Sequence, residues 1–191
     1  MKTKFIFLTF LLIFSRGCDF YSTSLWFFQP DGYKGETNPL TSLLGFGWTG
    51  LIVTNVIIIG FIIYAFYYYS FGYRSRRFSS VPDSLAEFVS ELYYNEKGKF
   101  YTVLFKSPKD KKLLLAHIGY VMIRTVIVAS FLATIHNLCQ YYNIAFYNTF
   151  RELVGRPLYV IYGLILLAFF FFMFRLWRKE FKKATMSFVS C

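Results

Sequence analysis

The sequence is poor in the residue types that build disulfide frameworks and metal sites. It contains 3 cysteines and 2 histidines among 191 residues. Cys18, Cys139 and Cys191 are too few and too scattered for a disulfide framework, so we predict no disulfide. His117 and His136 fall in one long apolar segment, where a helix would hold them roughly 28 Å apart. Because that separation prevents them from binding one metal ion, we expect no metal and no cofactor.

Sequence motifs of well-known enzyme classes are lacking too. There is no Gly-x-Ser-x-Gly turn to present a nucleophilic serine and no His-Glu-x-x-His motif to bind a catalytic metal. The absence of these motifs makes a protein without catalytic activity the leading expectation, although it does not exclude an enzyme of another kind.

Apolar and aromatic residues are abundant, and they lie in runs. Hydrophobic residues make up 56% of the chain and aromatic residues 23%. Four runs, at about residues 5–28, 46–69, 113–138 and 157–177, each reach the roughly 20 residues that a helix needs to cross a bilayer. The sequence therefore predicts an all-α membrane protein, one integral membrane domain over residues 1–191 with four transmembrane helices.

Basic residues outnumber acidic ones, 21 to 10, and they flank the apolar runs. This position favours anionic lipids over nucleic acid as their partner, and we expect no nucleic acid. The bases cluster before the first run, in the 70–112 connection and after the last run. By the positive-inside rule both termini and this loop are cytoplasmic. We expect a bacterial inner membrane protein.

The stretch CDFYSTSLWFF, residues 18–28, leaves open whether the first run is an export signal. A cleaved signal would give the same orientation for the remaining spans. Arg16 fits poorly before a lipidated cysteine, and no Ala-x-Ala-like cleavage site follows the apolar core. Apolar residues resume at Phe20 and continue to Phe28. We therefore expect an uncleaved first helix.

The 70–112 connection predicts a short amphipathic helix over residues 80–94, with Ser80 as its cap. Apolar side chains recur on one face at helical spacing: Leu85, Phe88, Val89 and Leu92. We expect this face to cover the cytoplasmic ends of the spans, with docking to a partner or to the membrane surface as the alternative. The segment 99–105 predicts a short strand.

Charged residues within the apolar runs are costly and are usually paired. Arg16 and Asp19 are three residues apart, on one face of the first helix. Arg124 lies near the middle of the third run. We predict that Asp19 bridges Arg16 and Arg124, either as an ion pair that fixes helix register or as a site for a substrate or a proton. Asn55 and Thr23 complete the predicted intramembrane cluster, and we expect Asn55 to hydrogen-bond across helices.

The outer connection contains the motif Glu36-x-Asn38-Pro39, in which Asn38 suits a helix cap. Together with Asp19 and Thr23 it resembles an uncharacterised bacterial family of small membrane proteins, over about residues 19–55. That family tends to carry a lysine in its second helix, where this chain has Asn55. The resemblance implies that Asp19, Thr23, Glu36 and Asn38 form one cluster on the outer side, and it implies no activity.

These observations lead to three expectations for function. The leading one is a non-enzymatic accessory or structural subunit, which associates with another membrane protein or with copies of itself. The first alternative is a small transporter or channel for protons or anions that uses Arg16, Asp19 and Arg124. The second alternative is an intramembrane enzyme with an outer-side polar site built from Asp19, Glu36 and His136.

Overall fold

The computed structural model of the chain describes residues 2–28, 45, 47–74, 78 and 82–189, and this part of the chain is helical without strands. We number the helices described as follows: α1 Lys2–Phe27, α2 Trp48–Tyr67, α3 Leu85–Tyr94, α4 Lys111–Tyr141, α5 Ala145–Val154 and α6 Pro157–Val189. A π-helical turn, Tyr68–Gly72, prolongs α2, and a 3-10 helix, Phe100–Leu104, lies between α3 and α4.

Four of these helices are long and apolar enough to cross a membrane, which confirms the four predicted runs. They are α1, α2 with its π-helical turn, α4 and α6. The last helix continues well beyond the predicted end at residue 177. No proline or glycine interrupts the basic segment that follows, so nothing in the sequence stops the helix there.

The third long helix, α4, is the centre of the bundle. Helices α1, α2 and α6 each pack against it, and α1 also contacts α2. Within the apolar windows, 39% of the residues of α4 are buried inside the chain, against 6% for α6. The many exposed apolar side chains of α6 are suited to lipid, where helix association depends on close packing rather than on escape from water.

A glycine allows α2 and α4 to approach closely. A Cβ atom added at Gly119 would lie 2.2 Å from the backbone carbon of Ala65 and 2.3 Å from its oxygen. No side chain larger than hydrogen fits there without a shift of one helix. The contact buries Ile62 and Phe66 of α2 against Tyr120 and Ile123 of α4.

The predicted amphipathic helix exists as α3, but it begins at Leu85 rather than at residue 80. Its cap is Ser84, whose Oγ accepts a hydrogen bond from the Glu87 N–H at 3.2 Å; the predicted cap, Ser80, lies outside the described residues. Phe88, Val89 and Leu92 are buried, as the pattern predicts. They pack with side chains of α4 and α6: Leu113, Trp177, Phe181 and Ala184. Helix α3 thus covers one end of the bundle. We call it the basic end, because the basic residues of α6 lie there: Arg178, Lys179, Lys182 and Lys183.

The predicted strand over residues 99–105 is wrong, because this segment forms the 3-10 helix. Local hydrogen bonds curl the chain. The Lys99 N–H donates to Ser90 Oγ at 2.7 Å, and Thr102 Oγ1 donates to the Lys99 carbonyl at 2.6 Å. Such short-range bonds to hydroxyl side chains compete with extended pairing.

The other connection, after α4, contains a helix that we did not predict. Helix α5 lies between Asn143 and Gly155, which both have positive φ and so reverse the chain. Its apolar residues Phe146 and Leu153 are 83% and 86% exposed. An exposed apolar face on a short helix next to the spans is typical of a helix that lies in the membrane interface.

Candidate functional site

Arg16 joins three transmembrane helices through one guanidinium group. Its Nη1 donates to Asp19 Oδ2 at 2.5 Å and to Ser130 Oγ at 3.2 Å, and its Nη2 donates to Asn55 Oδ1. Asp19 belongs to α1, Asn55 to α2 and Ser130 to α4. We call these four residues the Arg16 cluster.

The Arg16 cluster is largely withdrawn from the surface of the chain. The side chains of Arg16 and Asp19 are 18% and 14% exposed. The Asn55 amide is oriented by a second bond, from Nδ2 to the Leu51 carbonyl at 2.8 Å, which leaves its oxygen to Arg16. Separating such a pair is costly because it leaves a charge without its partner in a low-dielectric interior. This arrangement suits a structural tie between helices.

Thr23 lies one turn beyond Asp19, in a second tie between α1 and α4. Asn137 Nδ2 donates to Ser22 Oγ at 3.1 Å and to Thr23 Oγ1 at 3.2 Å. Trp26 Nε1 donates to the Asn137 carbonyl at 3.2 Å. The polar residues of α4 that face α1, Ser130 and Asn137, are seven apart and so lie on one helix face. That polar stripe is the signal that could have revealed the pairing of α1 with α4.

The predicted bridge between Asp19 and Arg124 is wrong. Arg124 Nη1 donates to the Tyr120 carbonyl at 2.5 Å, and its guanidinium carbon lies 3.7 Å from the centre of the Tyr120 ring. Arg16 meets α4 at Ser130, six residues beyond Arg124 and thus about 9 Å further along the helix. The prediction placed Asp19 and Arg124 at similar depth, whereas Arg16, one turn before Asp19, already packs at the level of Ser130.

Arg124 instead borders a cavity of about 200 Å³ among α1, α2, α4 and α6, towards the basic end. Four basic side chains contribute to its lining, namely Lys4, Arg124, Lys179 and Lys183. Aromatic rings form much of the remaining wall, among them Phe66, Tyr69 and Tyr120. We call this space the basic cavity.

Among the described residues, Glu180 is the carboxylate near the basic cavity; only its Oε1 is hydrogen-bonded, while its buried Oε2 has no hydrogen-bond partner there. Glu180 is fully buried, and its Oε1 accepts from Lys183 Nζ at 2.7 Å and from the Tyr69 hydroxyl at 3.3 Å. Lys179 Nζ donates to the Tyr69 hydroxyl at 2.8 Å and lies 5.5 Å from the centre of the Tyr120 ring. Lys179 and Arg124 therefore both lie within cation–π distance of the Tyr120 ring.

His117 lies at the basic end in a chain of hydrogen bonds. Trp177 Nε1 donates to the Tyr93 hydroxyl at 2.9 Å, and that hydroxyl is hydrogen-bonded to His117 Nδ1 at 2.7 Å. Burial raises the pKa of Tyr93, which keeps its hydroxyl protonated. His117 also borders an apolar cavity of about 540 Å³ between α2, α4 and α6.

His136 has a comparable role at the other end of α4, where its Nδ1 hydrogen-bonds to the Tyr147 hydroxyl of α5. The two histidines thus attach α4 to two different short helices, and they lie far apart along it. Sequence reasoning had no means of finding Tyr93, Tyr147 or Trp177, since these partners come together only through tertiary packing.

Glu36 and Asn38, the outer-side motif of the resemblance, lie outside the described residues, as does Cys191. The cluster of Asp19 and Thr23 with Glu36 and Asn38 stays a prediction. Comparison of the chain with protein-family models, with curated proteins and with solved structures finds no match. The residues and their geometry therefore carry the functional argument.

Proposed function

We propose that the chain is a non-enzymatic membrane protein that serves as an accessory or structural subunit of a larger membrane assembly. The observation that supports this proposal is the closed nature of the Arg16 cluster. Arg16 donates three hydrogen bonds, to Asp19, Asn55 and Ser130, and each bond connects residues of the chain to one another. A transport or catalytic site needs polar groups that a substrate can reach.

In this proposal the termini and the 70–112 connection face the cytoplasm of a bacterium, and the basic residues there contact anionic lipids. The distribution of lysine and arginine along the sequence supports that orientation. A reporter fused to the C-terminus tests it, because green fluorescent protein becomes fluorescent in the cytoplasm whereas alkaline phosphatase becomes active only outside it. Phosphatase activity of the C-terminal fusion would contradict the orientation.

The partner in this proposal is a transmembrane helix of another protein, or of a second copy, that packs on α6. This helix contributes least to the bundle, with 6% of its apolar window buried. A photo-reactive residue at Leu167 of α6, which is 65% exposed, tests the contact in intact cells. Ile57 of α2 is 66% exposed and is the matched control.

We expect the Leu167 probe to give a discrete covalent adduct and the Ile57 probe to give only diffuse products from lipid. An adduct of twice the mass of the chain identifies a homo-oligomer, and one of another mass identifies a different protein. If no position on the exposed face of α6 yields an adduct, and the chain is monomeric in mild detergent, the proposal is wrong.

The basic cavity favours a second candidate function, a small transporter or channel for anions. Its residue of interest is Arg124, which faces a space of about 200 Å³, rather than Arg16 or Asp19. Anion flux into liposomes that contain the purified chain tests this candidate. We expect Arg124→Gln to abolish such flux and Arg178→Gln, outside the cavity lining, to retain it; absence of flux with the unaltered chain would exclude the candidate.

A further inference from the structure

The basic cavity gathers positive charge that the described part of the chain does not neutralise. Among the described residues, Lys183 alone of these four basic side chains forms an ion pair, with Glu180. The hydrogen bonds of Arg124 and Lys179 within the described part of the chain go to neutral oxygens, the Tyr120 carbonyl and the Tyr69 hydroxyl. Lys4 adds a further positive charge at the cavity. The space is thus bordered by more cations than the nearby carboxylate can balance.

The position of Arg124 makes this imbalance costly. It belongs to α4, the most buried of the transmembrane helices. Charged side chains within such helices usually face a partner of opposite charge or a water-filled cavity. The Tyr120 ring stabilises the guanidinium in part, but the same ring also brings Lys179 near it. An anion between the two cations would remove their repulsion and supply the missing partner.

The chemistry of the lining fits a phosphate group. A guanidinium presents donors in a planar fork that matches two phosphate oxygens, and an ammonium adds a compact charge. The Tyr69 hydroxyl and Ser70 also border the space. A cavity of about 200 Å³ corresponds to several water molecules, each with a share of about 30 Å³ in the liquid. That room accommodates the five heavy atoms of a phosphate group.

We propose that the basic cavity binds a phosphate group, with Arg124 and Lys179 as its charged ligands. Basic pockets between transmembrane helices near the membrane surface are places where anionic lipid headgroups bind. A soluble phosphate compound presents the same chemistry. The proposal is independent of whether the chain acts as a subunit, because it concerns one cavity within the chain.

The test measures the thermal unfolding of the purified, delipidated full chain in mild detergent. Phosphatidylglycerol, phosphatidylcholine and inorganic phosphate are added in separate titrations. The variant is Lys179→Gln, and the matched control is Arg178→Gln, which removes the same charge from the neighbouring position of α6. Arg178 lies over the Phe174 ring and is outside the lining of the cavity.

We expect phosphatidylglycerol to raise the unfolding temperature and phosphatidylcholine to have no such effect. In Lys179→Gln the apparent affinity for phosphatidylglycerol should fall about tenfold, the effect of one lost charge-assisted hydrogen bond. Arg178→Gln should retain the affinity of the unaltered chain. Protection by inorganic phosphate as well identifies the soluble anion as the ligand, whereas protection by the lipid alone identifies a headgroup.

Two results would overturn the proposal. One is that neither phosphatidylglycerol nor inorganic phosphate protects the unaltered chain; the other is that both variants lose protection equally, which indicates attraction to the surface as a whole. If Lys179→Gln does not fold, Lys179→Arg decides the question, because it retains the charge and should retain protection. Loss of protection in a folded Lys179→Arg variant would also count against the phosphate site.

Discussion

Arg16 and Arg124 are both partly buried in the bundle, yet their surroundings differ. Arg16 faces a carboxylate, an amide and a hydroxyl from three helices, whereas Arg124 meets a backbone carbonyl, two aromatic rings and a cavity. The first arrangement pairs the guanidinium with a carboxylate and two neutral acceptors within the chain. The second leaves bonding capacity towards an open space, so one arginine ties helices and the other is available to a ligand.

The largest expected effect is a difference in the free energy of unfolding between a substitution in the Arg16 cluster and one at Arg124. Asp19→Asn removes the charge that balances Arg16, and breaking a buried ion pair from one side costs about 3–5 kcal/mol. Arg124→Gln removes a charge that has no carboxylate partner among the described residues, so we expect it to cost less than about 1 kcal/mol. Equilibrium unfolding in mild detergent measures both values.

The double variant Arg16→Gln with Asp19→Asn provides the control for this comparison. Since it removes both charges, we expect it to be more stable than Asp19→Asn alone, by the logic of a double-mutant cycle. If Asp19→Asn and Arg124→Gln lose the same free energy of unfolding, the distinction between Arg16 as a structural tie and Arg124 as a ligand-binding residue is contradicted.

The next effect concerns the helix contact that positions the wall of the basic cavity. Gly119→Ala places a methyl group 2.2 Å from the Ala65 backbone, so α2 must shift, and overpacking of this kind costs about 1–3 kcal/mol. Phe66 and Tyr69 move with α2, so the variant should also weaken phosphate binding. The Arg16 cluster should suffer less, because it lies further along α4.

Gly60→Ala is the matched control, since a Cβ atom there meets nothing within 4 Å. Alanine is the better helix former by up to about 1 kcal/mol, so this variant should be as stable as the unaltered chain or more so. Unfolding measurements that find both glycine variants equally stable would show that the close α2–α4 contact is not required.

A smaller effect is expected from Tyr93, which ties α3 to the bundle beside the apolar cavity. Tyr93→Phe leaves Trp177 Nε1 without its acceptor and His117 Nδ1 without its hydrogen-bond partner. We expect a loss of about 1–3 kcal/mol, the usual cost of buried polar groups left unpaired. Helix α3 should become more accessible to protease, whereas the Arg16 cluster should keep its protection from hydrogen exchange.

The pH dependence of that tie follows from the raised pKa of Tyr93, which burial causes. The folded state favours the protonated hydroxyl more than the unfolded state does. The contribution of the Tyr93 hydroxyl to the stability of the fold is therefore complete below the ordinary pKa of about 10. It is lost as the pH rises above that value. Between pH 8 and 11 the unfolding temperature should therefore fall more steeply for the unaltered chain than for Tyr93→Phe. Parallel curves of unfolding temperature against pH would contradict this assignment.

The part of this structure that could be predicted from the sequence is the part that depends on local pattern. Run length predicts the four spans, and spacing predicts both the buried face of α3 and the pairing of Arg16 with Asp19. Helix α5 was within reach as well, because Phe146, Phe150 and Leu153 recur at helical spacing before Gly155. Its small size and its polar neighbours concealed it in the connection.

The relations between helices could not be predicted in the same way. The depth of Arg124 relative to Asp19 depends on the register of α1 against α4, which the polar residues Ser130 and Asn137 reveal only once their partners are known. The bonds from His117 to Tyr93 and from Tyr93 to Trp177 connect positions 24 and 84 residues apart. No local pattern contains such pairings, since they arise from the packing of whole helices.

The smallest expected effect lies in the loop after α3, where an ion pair in water contrasts with the ion pair of the Arg16 cluster. Lys99 and Lys109 lower the pKa of Glu96 to about 2, and their contacts with it are exposed. A lowered pKa contributes stability above the ordinary value near 4.5, and this contribution is lost as the pH falls towards 2. Water and salt screen exposed pairs, so Glu96→Gln should barely change the unfolding temperature at pH 7, and added salt should remove the difference. A salt-independent loss in Glu96→Gln, comparable with that of Asp19→Asn, would show that depth in the bundle does not separate these two ion pairs.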